Sequence, residues 1–368
     1  MYCRIMVAAF ITLFAVATAH AQDKKQKRYL YVVSPGVRNY TQFGGAGILV
    51  FDIDNNHKFV KRIHTPASLE AKPLNIKGVC ASAATKRLYF TTLTKLYCVD
   101  LLTEKTLWVK ALPDGCDRMS ITPDGKTLYV PTMEKKHWNV VDGKTGDLIT
   151  RIETPDRAHN TVVSLEGKYM YLASISSNFL PVADTKSHKI IRKIGPFGAG
   201  IRPFTVNADR SLVYVNVNGL LGFEIGDLKT GKMIHRVEVK GVKKGPVKRH
   251  GCPSHGIGLT PNEKEVWVCD GHNGSVHIFD NTVMPPKQIA SVKLREQPGW
   301  ITFSKGGRWA WPSTGDVIDT TTRQIAHKLT DEEGREVHGE KIIEIIWIDG
   351  APYWVGDQFG VGRKGVKK

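Results

Sequence analysis

The stretch "HGCPSHGIGLTPNEKEVWVCDGH", residues 250–272, holds three histidines and two cysteines, and two of its pairs share one spacing: Cys252-x-x-His255 and Cys269-x-x-His272. Two thiolates and two imidazoles form a donor set that zinc or copper would take, with His250 as a spare ligand or a group that orients one. The same two sulfurs could instead bond to each other, and in an oxidising compartment that is the chemistry expected first. Other polar residues of similar promise are Asp117 and Arg118 beside Cys116, His159 near Asp156 and Arg157, Arg202, and Trp300 near Gln297. No Gly-x-Ser-x-Gly, His-Glu-x-x-His or phosphate-cradling glycine loop accompanies them, so no motif commits the chain to a catalytic class.

A repeat must position these residues. "SITPDGKTLYVPT" is echoed by "VVSLEGKYMYLAS", "FTVNADRSLVYVNV", "GIGLTPNEKEVWVCD" and, more loosely, "ITFSKGGRWAWPS", with a degraded copy in "GVCASAATKRLYFTT". Each copy reads as a short apolar strand, a polar turn, and a second strand carrying Tyr89, Tyr129, Tyr171, Tyr214 or Trp267. A third strand follows, ending in an acidic or turn residue ("ILVFDID", "KLYCVDL", "HWNVVDG", "FLPVADT", "LGFEIGD", "SVHIFDN", "GDVIDTT"), and then a fourth, such as "TLWVKAL" or "DLITRIE". Four strands recurring about every 40–45 residues, with no helical period, predict the blades of an all-β propeller. Seven third strands predict seven blades. The first has no inner strand before it, and "KIIEIIWID" (341–349) is the segment expected to supply it, closing the ring and removing its open edges.

Composition agrees with one globular domain: 41% hydrophobic and 24% charged residues in a chain of 368. Residues 1–21, with Arg4, an apolar run and the ending Ala19-His20-Ala21, read as a cleavable secretory signal, leaving 22–368 as a single propeller domain in the periplasm or outside the cell. No other apolar run approaches the length of a membrane span. The net charge of +17 favours acidic partners such as envelope polymers or proteins, while no nucleic-acid motif is present. A basic insertion at about 240–255 precedes the sixth blade, and the tail 353–368 has no place in the repeat.

With "ITPDGKTLYVPT", the Thr-Gly turn after "VVDGK" and "HGIGLTPNEKEVWVCD", nearly the whole mature chain resembles the YVTN family of seven-bladed propellers, extracytoplasmic proteins similar in scaffold to the quinoprotein amine dehydrogenase heavy chain. The resemblance implies a fold rather than an activity, since the repeat consists of turn and packing residues. There is no Cys-x-x-Cys-His for haem.

In such a fold the loops entering the inner strands ring one mouth of the central channel. Aligning the repeats on their aromatic residue places Asp117, His159, Arg202, His255 and Pro298 at about equivalent positions there. The predicted ligand-binding face therefore comprises Asp117, Arg118, His159, Arg202, His250, His255, His272 and Trp300. Cys252, His255, Cys269 and His272 are expected at one end of blade six, as a Cys252–Cys269 disulfide first and a zinc or copper site second. Cys80 and Cys98 read as buried core thiols. The function expected is a binding module for a small molecule, an envelope component or a protein. The alternatives are a lactonase or lyase using His159 or His255 with Glu134 or Asp117, a quinoprotein-dehydrogenase-like enzyme, or a metal-binding electron-transfer accessory.

Overall fold

Seven antiparallel sheets, consecutive along the chain, make up the computed structural model, which describes residues 25–366. The secretory signal read at 1–21 lies outside the described residues. Six sheets have four strands each; they span 78–111, 120–153, 158–194, 201–238, 257–293 and 301–328 and form blades two to seven. Blade one joins the two ends of the chain. Its strands Gln26–Ser34, Gly47–Asp52 and Lys58–Ile63 continue inward to Ile342–Ile348, which is the closing strand expected at 341–349, and then to Ala351–Val355. This fifth, innermost strand was not anticipated.

Burial explains the sequence pattern. Inner, second and third strands face neighbouring blades on both sides, so they read as nearly continuous apolar runs, as in "TLYVP" and "HWNVVD". Fourth strands form the rim, and there burial alternates, as along Thr106–Ala111. All seven third strands end in aspartate: Asp52, Asp100, Asp142, Asp184, Asp227, Asp280 and Asp319. Each carboxylate accepts backbone N–H bonds from the turn that follows it. Three of the second-strand aromatics reach across to the next blade. Tyr89 donates to Gly143 O (2.8 Å), Tyr129 to Thr185 O (3.3 Å) and Tyr214 to Asn281 Oδ1 (3.0 Å). At the seam, Trp311 Nε1 of blade seven donates to His57 Nε2 of blade one (3.1 Å).

The tail left over by the repeat lies in the channel. Asp357 O accepts from Thr302 Oγ1, Gln358 O from Trp300 Nε1, and Gly360 O from both Thr205 Oγ1 and Leu259 N, while Gly362 N donates to Val206 O. These partners belong to the inner strands of blades five, six and seven or to the residue entering them. On the other side, Gln358 Oε1 accepts from Val79 N of blade two. Phe359 and Val361 are buried among Trp300, Ile201, Phe204 and Val206. Among the described residues no helix is long and apolar enough to cross a membrane.

Candidate functional site

The residues that enter the inner strands converge at one mouth of the channel as a buried charged cluster. Asp117, at 0% exposure, sits 2.8 Å from His159 Nδ1, 3.1 Å from Arg118 Nη1 and 3.4 Å from Lys77 Nζ. Arg118 Nη2 reaches Glu340 Oε2 (2.9 Å), which also accepts from Lys341 Nζ (2.8 Å). His250 Nε2 lies 2.8 Å from Glu340 Oε1, yet off the line of a good hydrogen bond. The His250 and His255 rings stack with centroids 4.2 Å apart, His159 stands edge-on to His255 at 6.2 Å, and the Arg118 guanidinium lies 4.6 Å from the Trp300 ring centroid.

Charge in so dry a place is costly unless paired, and the protonation states follow from that. Burial works against an ionised Asp117, but Lys77, His159 and Arg118 hold its carboxyl well below the usual range. Glu340 is likewise held low against burial by His250, Lys341 and Arg118. Burial pushes Lys341 down to about 7, against the pull of Glu340. It also lowers His159 in spite of Asp117, His250 in spite of Glu340, and His255 well below the ordinary value with help from His250 and Arg118. The three imidazoles are therefore neutral near pH 7. Since a carboxylate and a carbonyl can only accept, His159 Nδ1–H donates to Asp117 and His255 Nδ1–H donates to Gly299 O (2.8 Å). That places the lone pairs on Nε2. His159 Nε2 and Arg118 Nε are buried with no partner.

Local backbone features keep the cluster together. A Cβ on Gly299 would collide with His250 Nε2 and stand 2.7 Å from Glu340 Oε1, so only glycine leaves room for that pair. His250 itself has φ +73°, a left-handed conformation that costs a non-glycine residue on the order of 1 kcal/mol or more and is typical of functional sites.

Of the residues expected at this face, Asp117, Arg118, His159, His250, His255 and Trp300 are together. Arg202 is on the same side but outside the cluster, with its Nε donating to Asn218 Oδ1 (2.5 Å). His272 is not part of it: exposed, it bonds Pro246 O through Nδ1 (2.9 Å) and pins the basic insertion. The sulfur expectations also need correction. All five described cysteines are free, so the Cys252–Cys269 bridge is not formed. Cys252 Sγ donates to Ser254 O (3.2 Å), and Cys269 is packed in the core with Trp267 and Val276. Among the described residues no group of three or more His, Cys, Asp or Glu is arranged to hold a metal ion, so Cys252, His255, Cys269 and His272 do not form the zinc or copper set their spacing suggested. The sequence pattern reads across a hairpin whose exit loop turns outward, carrying His272 away.

Lys77, Glu340 and Lys341 were missed. Lys77 and Lys341 directly precede the inner strands Gly78–Ser82 and Ile342–Ile348, and Glu340 comes one residue earlier, so the positional rule that found Asp117 and His255 would have found them if extended to blades two and one. Cys80 also differs from expectation: it is only half-buried and lines a cavity at the opposite end of the channel.

The fold and this cluster define a seven-bladed β-propeller with a charged channel mouth. The chain is similar in structure to the β-propeller domain of Myceliophteria thermophila Cps50 (Swd1), at 11% identity and a TM-score of 0.58, over 79% of this chain and 95% of that one. It also matches Kuenenia stuttgartiensis hydrazine synthase at 15% identity and a TM-score of 0.45, over 68% of this chain and 95% of that one. Identities this low bear on fold alone. No family model matches the chain, and no curated protein does.

Proposed function

We propose that this chain is an extracytoplasmic binding module of the YVTN type, whose recognition site is the charged channel mouth. The observation that carries this reading is that two atoms, Arg118 Nε–H and His159 Nε2, are buried without a partner on side chains that both contact Asp117. A buried donor or acceptor left unpaired costs about 1–3 kcal/mol, and a ligand that met both would recover it. Such a ligand is a small polar molecule with an oxygen acceptor for Arg118 and a hydroxyl or N–H donor for His159, as in hydroxy acids and sugars. Titration calorimetry of the secreted protein against a panel of these compounds is the test. We expect a binder whose affinity falls at least about tenfold in His159→Leu, the loss of one good hydrogen bond. Binding that survives both His159→Leu and Arg118→Met would move recognition elsewhere.

A second reading rests on the His159–Asp117 contact. A neutral imidazole oriented through Nδ1 by a buried carboxylate, with Nε2 free, is equipped to act as a general base. The lactonase or lyase alternative therefore attaches to His159 with Asp117. Glu134, the other carboxylate considered, is instead paired with Arg157 (3.1 Å). Turnover of a bound lactone that disappears in His159→Gln while binding persists would favour the enzyme.

A further inference from the structure

The end of the channel away from the charged mouth holds a cavity of about 600 Å³. One wall is the inner strands of blades two, three and four, through Val79, Ala81, Ile121 and Val162, and the other is the C-terminal segment, through Trp354 and Phe359. Inner strands begin at the charged cluster and end at the turns bearing Ala83, Pro123 and Leu165, which also line the cavity, so the two sites lie at opposite ends of the same strands. The lining is mostly aliphatic and aromatic. Its charged side chains, Asp357 and Arg363, neutralise one another at 2.8 Å. Its polar groups are mostly spent as well. Ser120 Oγ donates to Thr161 O (2.7 Å), Ser164 Oγ accepts from Tyr169 N (3.0 Å) and Gln358 Oε1 accepts from Val79 N (3.4 Å). Gln358 Nε2 is the exception: the residue is 1% exposed and this N–H₂ has no partner.

An apolar pocket of this size with few polar points is the usual form of a small-molecule site. We infer that this cavity is a second ligand site, separate from the charged mouth, that takes a neutral, mainly apolar small molecule carrying one hydrogen-bond acceptor for Gln358. A charged ligand would find no unpaired countercharge in the lining and would lose its hydration. Entry is at the end where Tyr353 (60% exposed) and Val366 (49% exposed) present apolar surface to solvent. Because residues 352–366 supply one wall, occupancy is linked to docking of the tail in the channel, and a ligand should tighten that docking by mass action.

Nile red, a neutral dye with a carbonyl acceptor, is a suitable probe on the full mature chain. We expect saturable fluorescence enhancement at one site per chain, lost in Ala83→Trp, which fills the cavity, and weakened about tenfold in Gln358→Met, as one hydrogen bond requires. Cys80, the one described cysteine that is not fully buried, serves as a second readout: saturating dye should slow its alkylation in the wild-type protein but not in Ala83→Trp. Circular dichroism checks that the variants fold, and Leu165→Trp, at the half-exposed cavity edge, replaces Ala83→Trp if that variant does not. Absence of saturable binding, or binding unchanged in the folded tryptophan variant with Cys80 unprotected, would overturn the inference.

Discussion

His159, His250 and His255 are neutral because they are buried, and that gives the charged mouth a defined response to acid. Their proton affinity in the folded chain is lower than in the unfolded chain, which titrates near 6.5. Below that pH the unfolded state binds more protons, so stability present above about pH 6.5 is lost as pH falls, by at most about 1.4 kcal/mol per pH unit for each histidine. At lower pH, Asp117 and Glu340 add loss in the same direction, because their folded values are depressed and protonation breaks their pairs. Lys341 acts in a higher window: with a folded value of about 7 against 10.5, it makes stability rise with pH between those values. The urea midpoint should therefore fall from pH 7 to pH 5, and His255→Gln should flatten that fall. An identical slope in the variant would assign the acid sensitivity to other groups.

At the scale of the element, the blade is held by two devices that recur with the repeat. The aspartate ending each third strand caps the following turn, and three of the second-strand aromatics reach the next blade's turn. The two meet where Tyr89 donates to Gly143 O, in the turn that Asp142 caps through the N–H groups of Lys144 (2.7 Å) and Thr145 (2.8 Å), and again at the turns after Asp184 and Asp280. Tyr89→Phe keeps the packing and removes the hydroxyl, so it should cost about 1 kcal/mol. Asp142→Ala should cost a similar amount, and because the two share a turn their effects should not add. Urea denaturation of the single and double variants checks this, and strict additivity would show the turn and the tie to be independent. The hydroxyl tie joins residues 54 apart and is not legible in the sequence, whereas the capped turn is legible because it is local: turn chemistry needs only neighbouring residues. The Cys-x-x-His pairs misled for the opposite reason, since whether Cys252, His255, Cys269 and His272 meet depends on loop direction, which spacing does not encode.

Across the whole molecule, stability depends on the chain's end returning to its start. Ile342–Ile348 pairs with Gln26–Ser34 over seven residue pairs, and the segment beyond it occupies the channel. Truncation before Ile342 should abolish cooperative unfolding, because blade one loses both inner strands and leaves an unpaired edge. Phe359→Ala should leave the ring closed but cost about 3–5 kcal/mol, as expected for emptying a buried aromatic position. A thermal or urea midpoint unchanged in Phe359→Ala would mean the tail is not docked in solution. The repeat by itself determined the blade count, the strand order within each blade, the closing strand and most of the charged mouth, because all of these follow from periodic burial and from position relative to it. The tertiary structure alone decided that Glu340 pairs with Arg118, that the described cysteines stay unlinked, and that the non-repeating tail lines a cavity. Each of these is a meeting of residues far apart in the chain, determined by how seven blades close around one axis.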